Sequence, residues 1–186
     1  GLNAIAHAVE ALYAKDRNPV VKLMAEAGIE RLVQALPQLE ATPRDLEARS
    51  AALHGAWLCG LCLGSVGMAL HHKLCHTLGG AFDLPHAETH TIVLPHALAY
   101  NAPEIPEVMA RLRDVLGTDD PALKLYEIGR AVGAPEGLKA IGMPENQVGR
   151  VVELAMSNSY WNPRPLEAGA LTALMERAYS GAPPQQ

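Results

Sequence analysis

The stretch from Ala51 to Leu70 contains no Asp, Glu, Lys or Arg, and it includes two glycines spaced as Gly60-x-x-x-Gly64. Twenty such residues are long enough to cross a lipid bilayer, but they also suit a helix that is buried on all sides in a folded core. The stretch is rich in Ala and Gly rather than Leu and Ile, and it runs directly into the polar sequence HHK at 71–73. We therefore predict a buried central helix and no membrane partner.

Elsewhere, apolar residues recur at intervals of three and four, which is the period of an α-helix. The first predicted helix spans Leu2 to Ala14, and a second begins at Pro19 and ends near Pro37. No segment alternates between apolar and polar residues as a half-buried strand does. We therefore predict an all-α fold, and a length of 186 residues suits a single helical domain, residues 1–186.

Thr, Pro and Gly residues predict the helix boundaries in the middle of the chain. Thr42 followed by Pro43 is typical of an N-cap and the first residue of a helix. The helical region that follows runs towards Thr77, and we expect residues 64–67 to divide it in two. Leu78-Gly79-Gly80 predicts its end.

Charge and cysteine content narrow the classes of function. Fifteen Lys and Arg stand against twenty Asp and Glu, and no basic stripe with interleaved aromatic residues is present. This argues against a nucleic-acid partner and favours a small-molecule ligand. Cys59, Cys62 and Cys75 have apolar sequence neighbours and are too few for a disulfide framework, so we expect buried thiols in a cytoplasmic protein.

Six of the eight histidines fall within residues 71–96. His72 and His76 are four residues apart, so they share one helix face, and Asn3 and His7 share a face of the first helix in the same way. A single histidine is more often a surface or core residue than a functional one, but this grouping favours a shared pocket. Imidazoles bind transition metals and also act as acids and bases near neutral pH.

His86 follows Pro85, which predicts a position near a helix N-terminus. The backbone N–H groups and the dipole at such a terminus favour an anion. The sequence pattern alone leaves two interpretations open for this group of histidines, a metal site and a catalytic pocket.

Three segments resemble the helical C-terminal domain of the iron-containing alcohol dehydrogenase family, and within that family its maleylacetate reductase branch. They are GLNAIAHAVEALY at 1–13, MALHHKLCHTLGGAFDLPHAETHTIVLPHALAYN at 68–101 and YWNPRP at 160–165. The resemblance extends over nearly the whole chain. It implies an NAD(P)H-dependent oxidoreductase of aromatic compound catabolism, which reduces the carbon–carbon double bond of maleylacetate to give 3-oxoadipate.

The resemblance also implies a set of site residues. The metal ligands of metal-using members match Asn3, His7, His72 and His86 here, and His76 matches a histidine that lies close to the nicotinamide and the substrate. Asn3 stands where those members have an aspartate. Because a neutral amide oxygen is a weaker ligand for a divalent cation, we expect a vestigial site without catalytic metal.

Hydride addition to the substrate creates an enolate, which hydrogen-bond donors can stabilise without a metal. We expect His76 to donate the proton, because an imidazole has a pKa near the working pH. The residues expected to stabilise the oxyanion are His7, His72 and His86. The residues expected to bind the dicarboxylate substrate are Asn3, Lys73 and Arg164.

A phosphate-binding motif for the dinucleotide is missing, because Leu78-Gly79-Gly80-Ala81 follows a helix rather than a strand. The resemblance implies a preceding nucleotide-binding domain that is absent from this chain, an active site between the two domains, and a homodimer. We expect the chain to be inactive alone. Two alternatives stay open, a metal-dependent alcohol dehydrogenase of the same family and a non-enzymatic helical binding module.

Overall fold

The computed structural model describes residues 1–157 and 160–185, and within these ranges it contains helices and no strand. The all-α prediction is confirmed. The α-helices are α1 (Leu2–Tyr13), α2 (Pro19–Ala41), α3 (Leu46–Leu63), α4 (Leu70–Phe82), α5 (His86–Asn101), α6 (Pro106–Leu116), α7 (Pro121–Ala131), α8 (Val148–Ser157) and α9 (Ala168–Ser180). Short 3₁₀ turns lie at Ala102–Glu104 and Leu138–Ile141.

Two hydrophobic clusters form the core, and α5 contributes to both of them. Leu94 and Leu98 of α5 join α1, α2, α3, α6 and α7 in the first cluster. Val93 and Ala97 join α4, α8 and α9 in the second. Twelve of the sixteen α5 residues and nine of the twelve α1 residues are buried. These two helices therefore form the rigid centre that holds the site described below.

The prediction of one helix buried on all sides at 51–70 is wrong. The chain breaks at Gly64 as expected, but α3 packs one face on α2 and exposes apolar side chains on the other, with Leu53 73% and Trp57 60% exposed. The centrally buried helices are instead α1 and α5. No helix in the described part of the chain is long and apolar enough to cross a membrane.

The contact between α2 and α3 depends on two glycines. A Cβ atom on Gly28 would lie 2.7 Å from Cys59 Sγ, and one on Gly55 would lie 3.0 Å from the Gly28 carbonyl oxygen. The absence of these two side chains lets the helix backbones approach closely. Cys59 and Cys62 pack in the same contact, and burial raises their thiol pKa values to about 12 and about 11. The prediction of buried core thiols is confirmed.

Three predicted helix ends differ from the structure. α2 continues through Pro37, and the Thr42 N–H donates to the carbonyl of Gln38, so Thr42 ends α2 instead of starting α3. Asp45 caps α3, because its carboxylate accepts two backbone N–H groups. α4 continues through its glycine pair and ends at Asp83, which has a left-handed backbone with φ of 52°. Packing of these helices outweighs the local propensity of single Pro and Gly residues.

Candidate active site

Three helices bring six of the eight histidines into one group. α1 contributes one, α4 contributes three and α5 contributes two. Ring centroids of neighbouring members lie between 4.2 and 6.1 Å apart. The members of this histidine cluster are His7, His71, His72, His76, His86 and His90.

The histidine cluster is layered from the core to the surface. His71 and His90 are buried, as is His72, which lies within 6.1 Å of four other rings. His76 and His86 are exposed, and His86 is the first residue of α5, as its place after Pro85 predicts. The cluster is therefore open to solvent on one side and closed by the core on the other.

Glu10 of α1 supports the cluster from below. Its side chain is fully buried, and its carboxylate accepts the backbone N–H groups of Ala69 and His71 at 2.9 and 2.7 Å, at the start of α4. It also contacts Nδ1 of His72 at 2.7 Å and accepts the Tyr13 hydroxyl at 3.3 Å. A negative charge is favoured at this position because the N-terminus of α4 presents two backbone N–H groups that have no partner within the helix, together with the positive end of the helix dipole.

Glu10 is absent from the predicted site residues, although the sequence contains a signal for it. It is the only Asp, Glu, Lys or Arg in α1, it lies three residues after His7, and its sequence neighbours Val9 and Ala11 are apolar. A buried carboxylate requires hydrogen-bonding partners. The identity of those partners depends on how α4 approaches α1, which the spacing within α1 does not reveal.

His71 and His90 also belong to the cluster, although the family resemblance assigns no role to either. His71 Nε2 and His90 Nδ1 lie 3.0 Å apart, within hydrogen-bonding distance. The rings of His90 and His86 lie 4.2 Å apart. Among the described residues, Nε2 of His90 is buried without a hydrogen-bonding partner. The inner layer of the cluster is thus an imidazole pair that packs against the outer histidines.

Burial keeps several of these imidazoles neutral. Desolvation, followed by the charge of His72, lowers the pKa of His7 to about 4 and that of His90 to about 3. The same causes lower the pKa of His71 well below 6.5, and they lower that of His76. A positive charge on one member of the cluster therefore disfavours a second.

The four residues that match the family's metal ligands make a weaker site for a divalent cation than a set that includes a carboxylate. Asn3 offers a neutral amide oxygen, and the three histidines offer neutral nitrogens, so the set contains no anionic ligand. The carboxylate of Glu10 is not one of these four ligands, and it already accepts hydrogen bonds from Ala69, His71 and His72. We therefore derive no chemical step through a metal at this position.

A different group comes closest to metal-binding geometry. In residues 1–157 and 160–185, the His, Cys, Asp and Glu side chains with three ligand atoms within 4.8 Å of one another are His71, Cys75 and His90. All three are buried, and the two imidazoles are within hydrogen-bonding distance of each other. Burial also raises the pKa of the Cys75 thiol, which disfavours the thiolate that a metal requires. This group is a hydrogen-bonded part of the core.

The predicted substrate-binding residues occupy three different environments. Asn3 is half-buried on α1, and its Oδ1 has no hydrogen-bonding partner in the described part of the chain. The Lys73 ammonium lies 5.5 Å from the centre of the Tyr160 ring. The Arg164 guanidinium stacks on the Tyr100 ring and donates to the Tyr100 carbonyl at 2.8 Å. Arg164 is thus engaged with α5, outside the histidine cluster.

The YWNPRP segment at 160–165 forms hydrogen bonds with α4 and α5, two of the helices that carry the cluster. Asn162 and Asn101 exchange side-chain hydrogen bonds of 2.7 and 3.1 Å. Asn162 also accepts the backbone N–H of Leu70, the first residue of α4. Asn101 Nδ2 contacts the Tyr13 hydroxyl at 3.5 Å. A segment that reveals the resemblance therefore positions α4 rather than the reacting groups.

Comparisons with known proteins identify relatives of this chain. A model of the Fe-containing alcohol dehydrogenase family, C-terminal part, matches residues 1–179. The maleylacetate reductase of Pseudomonas sp. (strain P51) is 58% identical over 185 residues, which cover 100% of this chain and 53% of that protein. The crystal structure of maleylacetate reductase from Rhizobium sp. strain MTP-10005 matches with a TM-score of 0.94 and 50% identity, over 98% of this chain and 52% of that one.

A more distant structure shares the fold. The sulfoacetaldehyde reductase of Bifidobacterium kashiwanohense, solved in complex with NAD+, matches with a TM-score of 0.81 at 21% identity, over 96% of this chain and 49% of that one. The chain spans about half the length of the relatives that it matches. The resemblance inferred from the three sequence segments is confirmed, and the chain belongs to the iron-containing alcohol dehydrogenase family, whose C-terminal part it matches.

Proposed function

We propose that this chain is the catalytic-site half of an NAD(P)H-dependent maleylacetate reductase, which converts maleylacetate into 3-oxoadipate. The relatives of that name with 50–58% identity over nearly the whole chain support the assignment. The observation that carries the mechanism is the histidine cluster, together with Asn3, which shares a face of α1 with His7 and stands where the metal-using members of the family have an aspartate. Such a site offers hydrogen-bond donors in place of a metal ion.

Reduction of an enone needs a hydride, a proton and stabilisation of the enolate formed between the two transfers. The bound dinucleotide supplies the hydride. We expect His7 and His86 each to direct a ring N–H to the ketone oxygen as it gains negative charge, and His72 to contact the substrate through its second ring nitrogen. Because such donors are already oriented before reaction, they can lower the barrier by about 3 kcal/mol each.

His76 is the proposed proton donor. It is exposed on α4, one turn from His72, so it can take a proton from solvent and pass it to the substrate carbon. Its pKa is lowered mainly by desolvation and then by the charge of His72. The lowered pKa makes its protonated form a stronger acid, though a less populated one at neutral pH.

Two carboxylates of the substrate need positive or polar partners. Lys73 lies between His72 and His76 in the sequence of α4, and its ammonium lies 5.5 Å from the centre of the Tyr160 ring. Asn3 offers an amide that can donate a hydrogen bond. Arg164 would have to leave the Tyr100 carbonyl to bind a carboxylate, which makes Lys73 the stronger candidate.

The dinucleotide is proposed to bind mainly to a second, nucleotide-binding half that would close the active site over the histidine cluster. The half-length match to the relatives supports this arrangement, as does the NAD+ complex of a protein that shares the fold. We also propose that the complete protein, meaning this single helical domain joined to its nucleotide-binding half, forms a homodimer.

The proposal is tested by measuring NADH and NADPH oxidation in the presence of maleylacetate. We expect turnover by the complete protein and none by residues 1–186 alone. Robust turnover by the isolated chain would refute the two-half arrangement. Absence of maleylacetate reduction, together with metal-dependent oxidation of simple alcohols, would instead favour an alcohol dehydrogenase. Absence of both activities would favour a binding module.

A further inference from the structure

We propose that Glu10 is a positioning residue of this site, whose carboxylate holds His72 in the tautomer with a proton on Nδ1 and so directs Nε2 of that ring towards the reacting group. The identity of the group that Nε2 meets rests on the proposed function. The tautomer and the orientation of the ring rest only on the geometry of α1 and α4.

The hydrogen bonds around Glu10 determine the role of the His72 ring nitrogen. Oε1 accepts the backbone N–H of His71 and the Tyr13 hydroxyl, and Oε2 accepts the backbone N–H of Ala69. The fourth contact is Nδ1 of His72, 2.7 Å from Oε2. A carboxylate only accepts hydrogen bonds, so this nitrogen must donate, and its proton lies on the side of the ring that faces Glu10.

The role of the second ring nitrogen of His72, Nε2, follows from the position of the proton on Nδ1. Nε2 lies on the other side of the imidazole from the contact with Glu10, and within residues 1–157 and 160–185 it is buried without a hydrogen-bonding partner. His72 is the central ring of the cluster, with the rings of His7, His71 and His90 5.1 to 5.2 Å away. A buried nitrogen without a partner at this position is suited to a substrate atom that enters the cluster.

The support is rigid because no member of it is exposed. Glu10 and Tyr13 belong to the buried face of α1, Ala69 is the N-cap residue of α4, and His71 lies in the first turn of α4. The same carboxylate therefore ties the start of α4 to α1 and orients one side chain of α4. Ring orientation fixed by a carboxylate on the far nitrogen is a common way to make one imidazole effective in catalysis.

The most direct test is the tautomer of His72 in the complete protein. Nitrogen NMR of ¹⁵N-histidine-labelled protein, with His72→Gln used to assign the signals, reports which ring nitrogens carry protons. We expect a proton on Nδ1 of His72. A bare Nδ1 would overturn the proposal whatever reaction the protein catalyses, because this measurement needs no substrate.

Variants test the effect on catalysis. In Glu10→Gln, the amide NH₂ replaces one carboxylate oxygen and so faces donors that this oxygen accepted, which breaks the support that orients the His72 ring. We expect kcat for maleylacetate reduction to fall by about 100- to 1,000-fold, the scale for loss of one oriented hydrogen bond at a reacting group, with KM changed less than about threefold. Tyr13→Phe removes one hydrogen bond and keeps the carboxylate, so its kcat should stay within about threefold of the parent.

A double variant separates positioning from a merely structural role. If Glu10 acts through His72, adding Glu10→Gln to His72→Gln should lower kcat little further, since residues that act as a unit are strongly non-additive. An equal loss in both backgrounds would overturn the proposal, as would a folded Glu10→Gln variant that keeps the parent kcat. If Glu10→Gln does not fold, the NMR measurement on the parent protein decides alone.

Discussion

At the scale of single residues, burial decides which histidines can carry charge. His96 lies outside the histidine cluster, and desolvation followed by the charge of Arg177 lowers its pKa to about 4. Its Nδ1 is buried without a partner in the described part of the chain. An unfolded chain returns this imidazole to water, where its pKa is 6.5. Folding therefore releases a proton from this residue at mildly acidic pH.

This linkage predicts acid sensitivity. Between pH 6.5 and pH 4 the unfolded state binds more protons, so the stability associated with neutral His96 is complete above pH 6.5 and is lost as the pH falls towards 4. The loss reaches about 3 kcal/mol at most. Urea unfolding of the complete protein at several pH values should show a shallower pH dependence in His96→Gln than in the parent. An unchanged slope would contradict the assignment, and exposed His54→Gln is the matched control.

Asn3 is the residue that separates this site from a metal site. Replacing Asn3 with Asp adds an anionic ligand beside three imidazoles, so we expect affinity for Zn²⁺ or Fe²⁺ to rise at least about tenfold, the scale on which even outer partners of metal ligands act. Titration calorimetry and metal analysis of the complete protein measure the change. Asn18→Asp, at the exposed N-cap of α2, is the control. Equal metal content in Asn3→Asp and the parent would count against our account of the site.

The sequence predicted individual site residues well where the relevant contacts are local. The four-residue spacings of Asn3 with His7 and of His72 with His76 place each pair on one helix face, as the structure has them. The role of Glu10 could not be predicted, because its three partners at α4 lie 59 to 62 residues away along the chain. Spacing within a helix reveals its faces, whereas the partner of a buried face is set by packing.

At the scale of helices, we expect alanine substitution at two glycines of α3 to have opposite effects on the free energy of unfolding. In Gly55→Ala, the new Cβ would lie 2.9 Å from Leu32 Cγ and 3.0 Å from a backbone oxygen, so we expect a loss of about 1–3 kcal/mol in the free energy of unfolding. A Cβ added at Gly60 would meet nothing within 4 Å, so Gly60→Ala should stabilise the fold by about 0.5–1 kcal/mol. Denaturant midpoints measure both, and a Gly55→Ala variant as stable as the parent would refute the close approach.

Helix identities were predictable, but their burial was not. Periodicity predicted α1, and Pro and Gly residues predicted the start of α2 at Pro19 and the break after α3. The apolar content of 51–70 suggested the centre of the core, yet α3 lies at the edge, with Trp57 and Leu53 exposed. Apolar composition predicts that a helix has a surface suited to burial, but it does not predict whether the same chain covers that surface.

At the scale of the whole molecule, the histidine cluster is complete on the core side and open on the other. The buried residues Glu10, His71 and His90 lie on α1, α4 and α5, while His76 and His86 are exposed. This asymmetry fits a site that a second half of the protein closes. From the sequence, such a second half is predicted only by the lack of a phosphate-binding motif and by the family resemblance.

We propose that histidines, rather than a metal ion, stabilise the enolate. The direct test is maleylacetate-dependent NADH oxidation by the complete protein after chelation, with metal content measured on the same sample. Our account predicts unchanged kcat at a metal content far below one ion per chain. Loss of activity on chelation, with recovery on addition of Fe²⁺ or Zn²⁺, would contradict it.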